Sequence, residues 1–348
     1  MSAGFRAVQW NRAKVVYDLV LLVAVAAFLI VYAMILAGRE PPANAKDAVG
    51  IYIRVSGLCA FVMLTVILSI GPLARLDRRL LPLLYNRRHF GVLTCIVVLT
   101  HFAALVGWYV LDGHPYNLVA ELTKWSDYAS LKTVSFKAFG LGGLLILLLL
   151  AATSHDYWLA FLTPPVWKAL HMLLYLAYGL ILIHIALGVL QDERSWLVIA
   201  LFAAAFVWVA ALHIVTGLRE RGRDGATEPR DGWLTVGAPE SIPDKAARIV
   251  SAPGGERIAV FRDGDEIGAL ANLCAHQNGP LGEGRIIDGC VTCPWHGYQY
   301  HLSDGCAPAP FTEKLATYRL RLRDGLVEVD PKPLPPGTPA SMRVTPSA

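Results

Sequence analysis

The chain falls into two parts by its apolar pattern. Up to about residue 218 the apolar positions form long, nearly unbroken runs; beyond that they form short pieces punctuated by Gly, Asp and Pro. Six runs (15–36, 51–70, 90–111, 138–154, 166–190 and 196–218) are long enough, or nearly so, to cross a bilayer as helices, which takes roughly 20 residues. The fourth is short and contains Gly140, Gly142 and Gly143, small residues that let membrane helices approach closely. Trp108, Tyr109, Trp158, Trp167 and Trp196 stand near the run ends, where amphipathic rings anchor at the interface. Ala43-Asn44-Ala45 resembles a signal-peptide cleavage site, but the first run is long for that purpose and five more runs follow. In the second part, segments at 248–250, 258–262, 266–272, 291–293, 300–302, 318–322 and 326–329 read as short strands between turns. The pattern predicts an all-α membrane bundle of six helices at 1–218, a charged glycine-containing linker at 219–231, an all-β domain at 232–331, and a proline-rich flexible tail at 332–348.

Composition agrees. Hydrophobic residues are 55% of the sequence and mean hydropathy is +0.47, above the range of soluble globular proteins. The long runs call for membrane lipid as a partner, and the modest net charge of +4 points to no nucleic acid. The basic residues are clustered: Arg75, Arg78, Arg79, Arg87 and Arg88 between the second and third runs, Arg219, Arg221, Arg223 and Arg230 after the sixth, and Arg6, Arg12 and Lys14 before the first. An even number of spans puts all three clusters on one side, and the positive-inside rule makes that side the cytoplasm. Lys124, Lys132 and Lys137 in the outer loop weaken this bias without reversing it. The expectation is a multi-pass protein of the inner (plasma) membrane with both termini and the β domain in the cytoplasm.

The most specific chemistry lies in the β domain. Cys274-Ala-His276 is followed, after sixteen residues, by Cys293-Pro-Trp-His296. Zinc sites usually place two cysteines close together and two histidines close together. Here each loop offers one of each, which suits two irons, with thiolates on one and imidazoles on the other. That is the ligand set of a Rieske [2Fe–2S] centre. Neutral imidazoles raise its potential above that of an all-cysteine cluster and make reduction pH-sensitive. Gly279-Pro280 and Gly297 follow the two boxes and let the loops close tightly. Residues 232–331 resemble a Rieske ferredoxin-type domain throughout. Cytochrome bc-type Rieske proteins bridge two further loop cysteines; the corresponding positions here are Gly279 and Trp295, so no bridge forms. Their serine donor to a sulfide corresponds to Tyr298. The resemblance implies the low-to-middle potential ferredoxin class, although Tyr300 stands where high-potential proteins bond a ligand cysteine. The missing disulfide suits a reducing compartment. Cys59 and Cys95 read as packing residues, and Cys290 and Cys306 as free thiols.

Histidines stand out within the runs, where ionisable groups are costly. The third run has His89 at its start and His101 within it; the fifth has His171 and His184. The two runs are parallel. At about 1.5 Å per residue the histidines lie about 18 and 20 Å apart along their helices, which suggests two layers, His89 with His171 and His101 with His184. Thirteen residues turn a helix about 220° and twelve about 120°, so both layers share one face only if the helices bend or the groups sit offset. His155 and His213 are alternatives to His89 on the same side. A helix–helix hydrogen bond is the plain alternative role for each. Arg87-Arg88-His89-Phe90-Gly91 with His101, and Trp167-Lys168-Ala169-Leu170-His171-Met172-Leu173-Leu174-Tyr175-Leu176 with His184, resemble the third and fifth spans of ferric-reductase-like transmembrane domains. Among these the nearest in kind are the haem b membrane subunits of periplasmic methionine sulfoxide reductase systems, with NADPH oxidases more distant. The resemblance covers about 50–218 and implies one or two haem b groups, with ligands at His101, His171 and His184. His89 departs from it, since many relatives have an apolar residue there. NADPH oxidases continue into FAD- and NADPH-binding domains, whereas no G-x-G-x-x-G fingerprint follows a strand here.

These parts imply an electron conduit. A cytoplasmic donor, reductase or quinol, supplies the Rieske centre; the haem passes electrons to a periplasmic or extracellular acceptor such as a reductase or a metal. Arg87, Arg88 and Lys168 are placed to meet inner-haem propionates, and topology alone also explains them. The linker would let the Rieske domain move between donor and haem. Three other readings stand beside this one: a quinol-linked redox subunit, a redox sensor or assembly protein, and the electron-supply component of a Rieske oxygenase system. An oxygenase itself needs mononuclear iron on two histidines and a carboxylate, and no soluble domain is left to hold it.

Overall fold

In the computed structural model the described residues are 12–80, 83–84, 86–114, 116–123, 135–154, 158, 161–192, 196–223, 229–253 and 255–344. The first part is helical: α1 (Arg12–Arg39), α2 (Ala45–Leu76), α3 (Arg87–Leu111), α4 (Tyr116–Thr123), α5 (Phe136–Ala152), α6 (Pro164–His171), α7 (Leu173–Leu187), α8 (Val189–Asp192) and α9 (Trp196–Arg223). Among the described residues five helices are long and apolar enough to cross a membrane, the fourth of these running through α6 to α8; α5, at 17 residues, is shorter.

Local sequence sets these limits. Asn44 accepts a hydrogen bond from the Asp47 amide (2.9 Å) and caps α2. Pro164 and Pro165 open α6, where a missing N–H costs nothing. The fifth expected run is broken at Met172, directly after His171, and again at Gly188. The regular helix is therefore interrupted between its two histidines.

The α2 helix is the hub. One of its faces packs Cys59, Met63, Ile67 and Ile70 against Phe90 and Val97 of α3 and against Leu21, Val25 and Phe28 of α1. Another packs Phe61, Leu64 and Leu68 against Leu147 of α5, Ala177 and Tyr178 of α7 and Val209 of α9. The outward faces are apolar and open, as at Leu19, Val23, Ile96, Leu145 and Leu201, so their counterpart is lipid rather than a second protein layer.

The second part is all-β. Strands β1 (Leu234–Gly237), β8 (Tyr318–Arg323) and β9 (Leu326–Pro333) form one sheet in the order β1-β9-β8. A second runs β10-β4-β3-β2, from β2 (Ala247–Ser251), β3 (Arg257–Asp263), β4 (Glu266–Ala271) and β10 (Met342–Arg343). A third joins β5 (Arg285–Ile287), β6 (Cys290–Thr292) and β7 (Gln299–His301). All named pairings are antiparallel. Phe261, Leu270, Tyr300 and Tyr318 are fully buried.

Two segments differ from expectation. The stretch after Pro331 is laid on the domain rather than loose. Val344 and Ala340 donate to the carbonyls of Asp265 and Ser303, Gly337 donates to that of Leu315, and β10 pairs with β4. Its prolines exclude a hydrophobic pattern, but backbone hydrogen bonds need none. The expected linker begins inside α9, and residues 224–228 lie outside the described residues.

Candidate functional site

The four Cys and His residues of the β domain sit on two loops, β4–β5 and β6–β7. The loops are built alike. Cys274 N–H bonds the Gly279 carbonyl (2.9 Å) and Asn278 N–H bonds the Cys274 carbonyl (2.8 Å); Cys293 N–H bonds the Tyr298 carbonyl (2.8 Å) and Gly297 N–H bonds the Cys293 carbonyl (2.9 Å). Each tight turn ends on a left-handed residue, Asn278 (φ 54°) and Gly297 (φ 69°), which glycine and asparagine tolerate.

The structure brings the four candidate ligands together. Both cysteines are buried, and the rings of His276 and His296 lie 5.2 Å apart. A Cβ on Gly279 would stand 2.8 Å from Cys293 Sγ and 3.2 Å from the Trp295 ring. Gly279 and Trp295, the positions of the missing bridge, thus touch. Among the described residues no three His, Cys, Asp or Glu groups converge on one point; a two-iron cluster with two protein ligands per iron needs no such convergence. The residues fit a [2Fe–2S] group.

Two tyrosines shape this end. Tyr300 Oη lies 3.3 Å from Cys274 Sγ. Burial first, and then the Cys274 thiolate, push its hydroxyl well above the usual phenol range, so it stays a donor. Tyr298 stacks on His276 (5.1 Å, 12°) and donates to Glu313. Cys290 and Cys306 are free thiols, and Cys59 and Cys95 are buried in the helical part.

In the helical part, His101 of α3 donates from Nδ1 to the Ile53 carbonyl (3.0 Å) and has Ser56 Oγ at 3.3 Å. His184 of α7 donates from Nδ1 to the Phe136 carbonyl (2.9 Å). Each bond sets the tautomer and leaves the Nε2 lone pair for a metal. Each ring rests on a glycine: a Cβ on Gly57 would come within 3.1 Å of His101, and one on Gly140 within 2.8 Å of His184. These are cradles for imidazoles.

His171 donates from Nδ1 to the Trp167 carbonyl (3.0 Å) and stacks on the Trp167 ring at 3.7 Å. Its Nε2 is buried with no hydrogen-bond partner among the described residues. It lines a cavity of about 470 Å3 between the helices and the β domain. The deep walls are apolar (Leu64, Leu68, Leu147, Leu150), Arg87, Arg88 and Lys168 are cationic, and His296 and Trp295 close the far side. An apolar body with a cationic rim suits a planar group bearing carboxylates.

His89 is placed elsewhere. Its Nδ1 lies 2.8 Å from Asp18 of α1, and the α3 wall of the cavity is made by Arg87, Arg88, Gly91 and Thr94. His213 lines the cavity between the Tyr175 hydroxyl (3.1 Å) and the Val209 carbonyl (2.9 Å). His155 lies outside the described residues. The sequence reading missed Asp18, Gly57 and the role of Trp295. Only Gly57 left a signal, as a lone glycine in an apolar run.

Residues 232–319 match the family described as Rieske [2Fe-2S] domain, and residues 56–182 that described as ferric reductase like transmembrane component. The anthranilate 1,2-dioxygenase ferredoxin subunit of Burkholderia cepacia is 41% identical over 101 residues, 28% of this chain and 91% of that protein. Ferredoxin CarAc of Metapseudomonas resinovorans is 31% identical over 98 residues, 28% of this chain and 92% of that protein. A chain from the solved complex of reduced oxygenase and oxidized ferredoxin in carbazole 1,9a-dioxygenase is 28% identical, covering 30% of this chain and 98% of that one, with a TM-score of 0.28. The role of the chain is redox electron transfer, in a multi-pass membrane protein whose β domain provides for a [2Fe–2S] cluster. The chain belongs to the Rieske [2Fe-2S] family through its C-terminal domain, which is joined to a ferric-reductase-like transmembrane component.

Proposed function

We propose that this protein carries electrons across a membrane, from a cytoplasmic reductant through the Rieske domain and a haem-bearing bundle to an acceptor outside. The observation that carries this reading is the cavity shared by the two domains: His171, with its buried Nε2, is on the membrane side, and the cluster ligand His296 is on the other. Bound cluster and haem b would supply one-electron redox chemistry. The residues of the chain do the rest. Cys274 and Cys293 would hold one iron and His276 and His296 the other. His101 and His184 present Nε2 atoms for one haem, each locked by a backbone carbonyl. His171 lines the cavity, where Arg87, Arg88 and Lys168 would neutralise the carboxylates of a second haem. The apolar helix faces keep water from both.

The arginine clusters favour a cytoplasmic Rieske domain. In proteoliposomes, an impermeant reductant on the Rieske side should reduce an impermeant acceptor trapped on the other. His101→Ala and His184→Ala should each lose the same low-spin haem and stop transfer, while the Rieske electron paramagnetic resonance signal remains. Wild-type protein that reduces its centres yet passes nothing across would refute the conduit. The similarity to dioxygenase ferredoxins supports a second reading, electron supply to an oxygenase on the Rieske side. Under that reading, loss of the haem ligands would leave transfer to a same-side acceptor intact.

A further inference from the structure

We propose that Trp295 docks the histidine-ligand end of the Rieske domain onto the membrane domain, so that the cluster has its own chain as its electron partner. The docking claim stands on geometry alone; the electron-transfer part rests on the conduit reading above.

Trp295 lies between two cluster ligands, Cys293 and His296. Gly279 leaves it room on the inside, since a Cβ there would come within 3.2 Å of the ring. From the membrane domain, the Arg87 guanidinium stands 5.5 Å from the ring centre and the Lys168 ammonium 5.8 Å, within the range of a cation–π contact. Arg87 opens α3 and Lys168 stands three residues before His171 on α6. One ring on the cluster loop therefore meets α3, which carries His101, and α6, which carries His171.

Two ion pairs flank this contact. Arg75 at the end of α2 meets Glu283, just after the first ligand loop (3.1 Å); Glu220 at the end of α9 meets Arg257 at the start of β3 (3.1 Å). The signs alternate: the membrane domain supplies a cation in one pair and an anion in the other. A Rieske domain rotated to exchange the two positions would face like charges, so the pattern selects one orientation. In that orientation His296 and His171 line the same cavity. Trp295 is a positioning residue: it touches neither iron nor haem by this assignment and acts by holding the domain.

The test uses the full chain in lipid nanodiscs, with hydrogen exchange of loops 274–279 and 293–298 as a readout that needs no turnover. Arg75→Glu should raise exchange in both loops about tenfold or more, and the exchanged pair Arg75→Glu/Glu283→Arg should bring it back toward wild type. After flash reduction of the cluster, transfer to haem should slow about tenfold in Arg75→Glu and in Trp295→Ala, and Trp295→Phe, which keeps a ring face for the cations, should retain most of the rate. The cluster spectrum should stay the same in Arg75→Glu and in the exchanged pair, neither of which alters residues 274–279 or 293–298. If Arg75→Glu leaves loop exchange unchanged, or the exchanged pair fails to restore it, the docking is overturned. A protein that binds no haem but shows the protection and its rescue would refute the conduit and still support the docking.

Discussion

At the scale of single residues, Tyr300 and Glu283 make separable predictions. The Tyr300 hydroxyl donates to the sulfur of Cys274 at 3.3 Å inside a fully buried pocket. Reduction adds negative charge to the cluster, and a hydrogen bond to a ligand sulfur stabilises that charge. Tyr300→Phe should therefore lower the Rieske potential by about 40–60 mV, the one-electron equivalent of about 1–1.4 kcal/mol, read by redox titration of the cluster signal. Glu283 illustrates opposed forces. Burial raises its carboxyl above the usual range and Arg75 lowers it, and burial wins. The carboxylate is thus accommodated in the contact at a net cost. Because the docked value is raised, the contribution is fully present below the ordinary glutamate range and is lost as pH rises through the raised value. Wild type should gain stability relative to Glu283→Gln as pH is lowered across that window, measured as the difference between their thermal unfolding midpoints. The four candidate cluster ligands were legible in the sequence because coordination fixes residue type and spacing together. Glu283 was not, since an ion pair between distant segments leaves no local spacing.

At the scale of elements, packing decides what a histidine can do. α2 and α5 each present a glycine, Gly57 and Gly140, under the imidazoles of His101 and His184. Gly140→Ala puts a methyl group 2.8 Å from the His184 ring, an overpacking of roughly 1–3 kcal/mol that turning the ring would relieve. Haem content measured by the pyridine haemochrome spectrum should fall by at least about half in Gly140→Ala. It should fall less in Gly57→Ala, where the approach is 3.1 Å. Helix positions were readable from apolar run length, since a span must satisfy its own backbone. The break at Met172 was not: the run there is continuous, and no Pro or Gly marks it. The pairing of His89 with Asp18 was also hidden, because it joins helices whose relative rotation depends on tertiary packing.

At the scale of the whole molecule, the two domains meet through a charged and aromatic contact around Trp295, where the sequence alone suggested only a tether. The all-β character and the strand segments were legible in the alternation of short apolar pieces with turn residues. The course of residues 332–344 was not, because it is held by backbone hydrogen bonds that composition does not report. That course has a practical side for anyone cutting the gene. β10 is the outer strand beside β4, and β4 runs directly into the loop bearing Cys274 and His276. A fragment ending at Pro331, the natural choice from composition, would leave the β4 edge bare at Glu266 and Ile267, and one ending at Val344 would keep it covered. The shorter fragment should bleach faster in chelator than the longer one, with its visible iron–sulfur absorbance decaying while the longer remains coloured. Among the described residues β10 is the last strand, and it secures the start of the strand that leads into the first ligand loop.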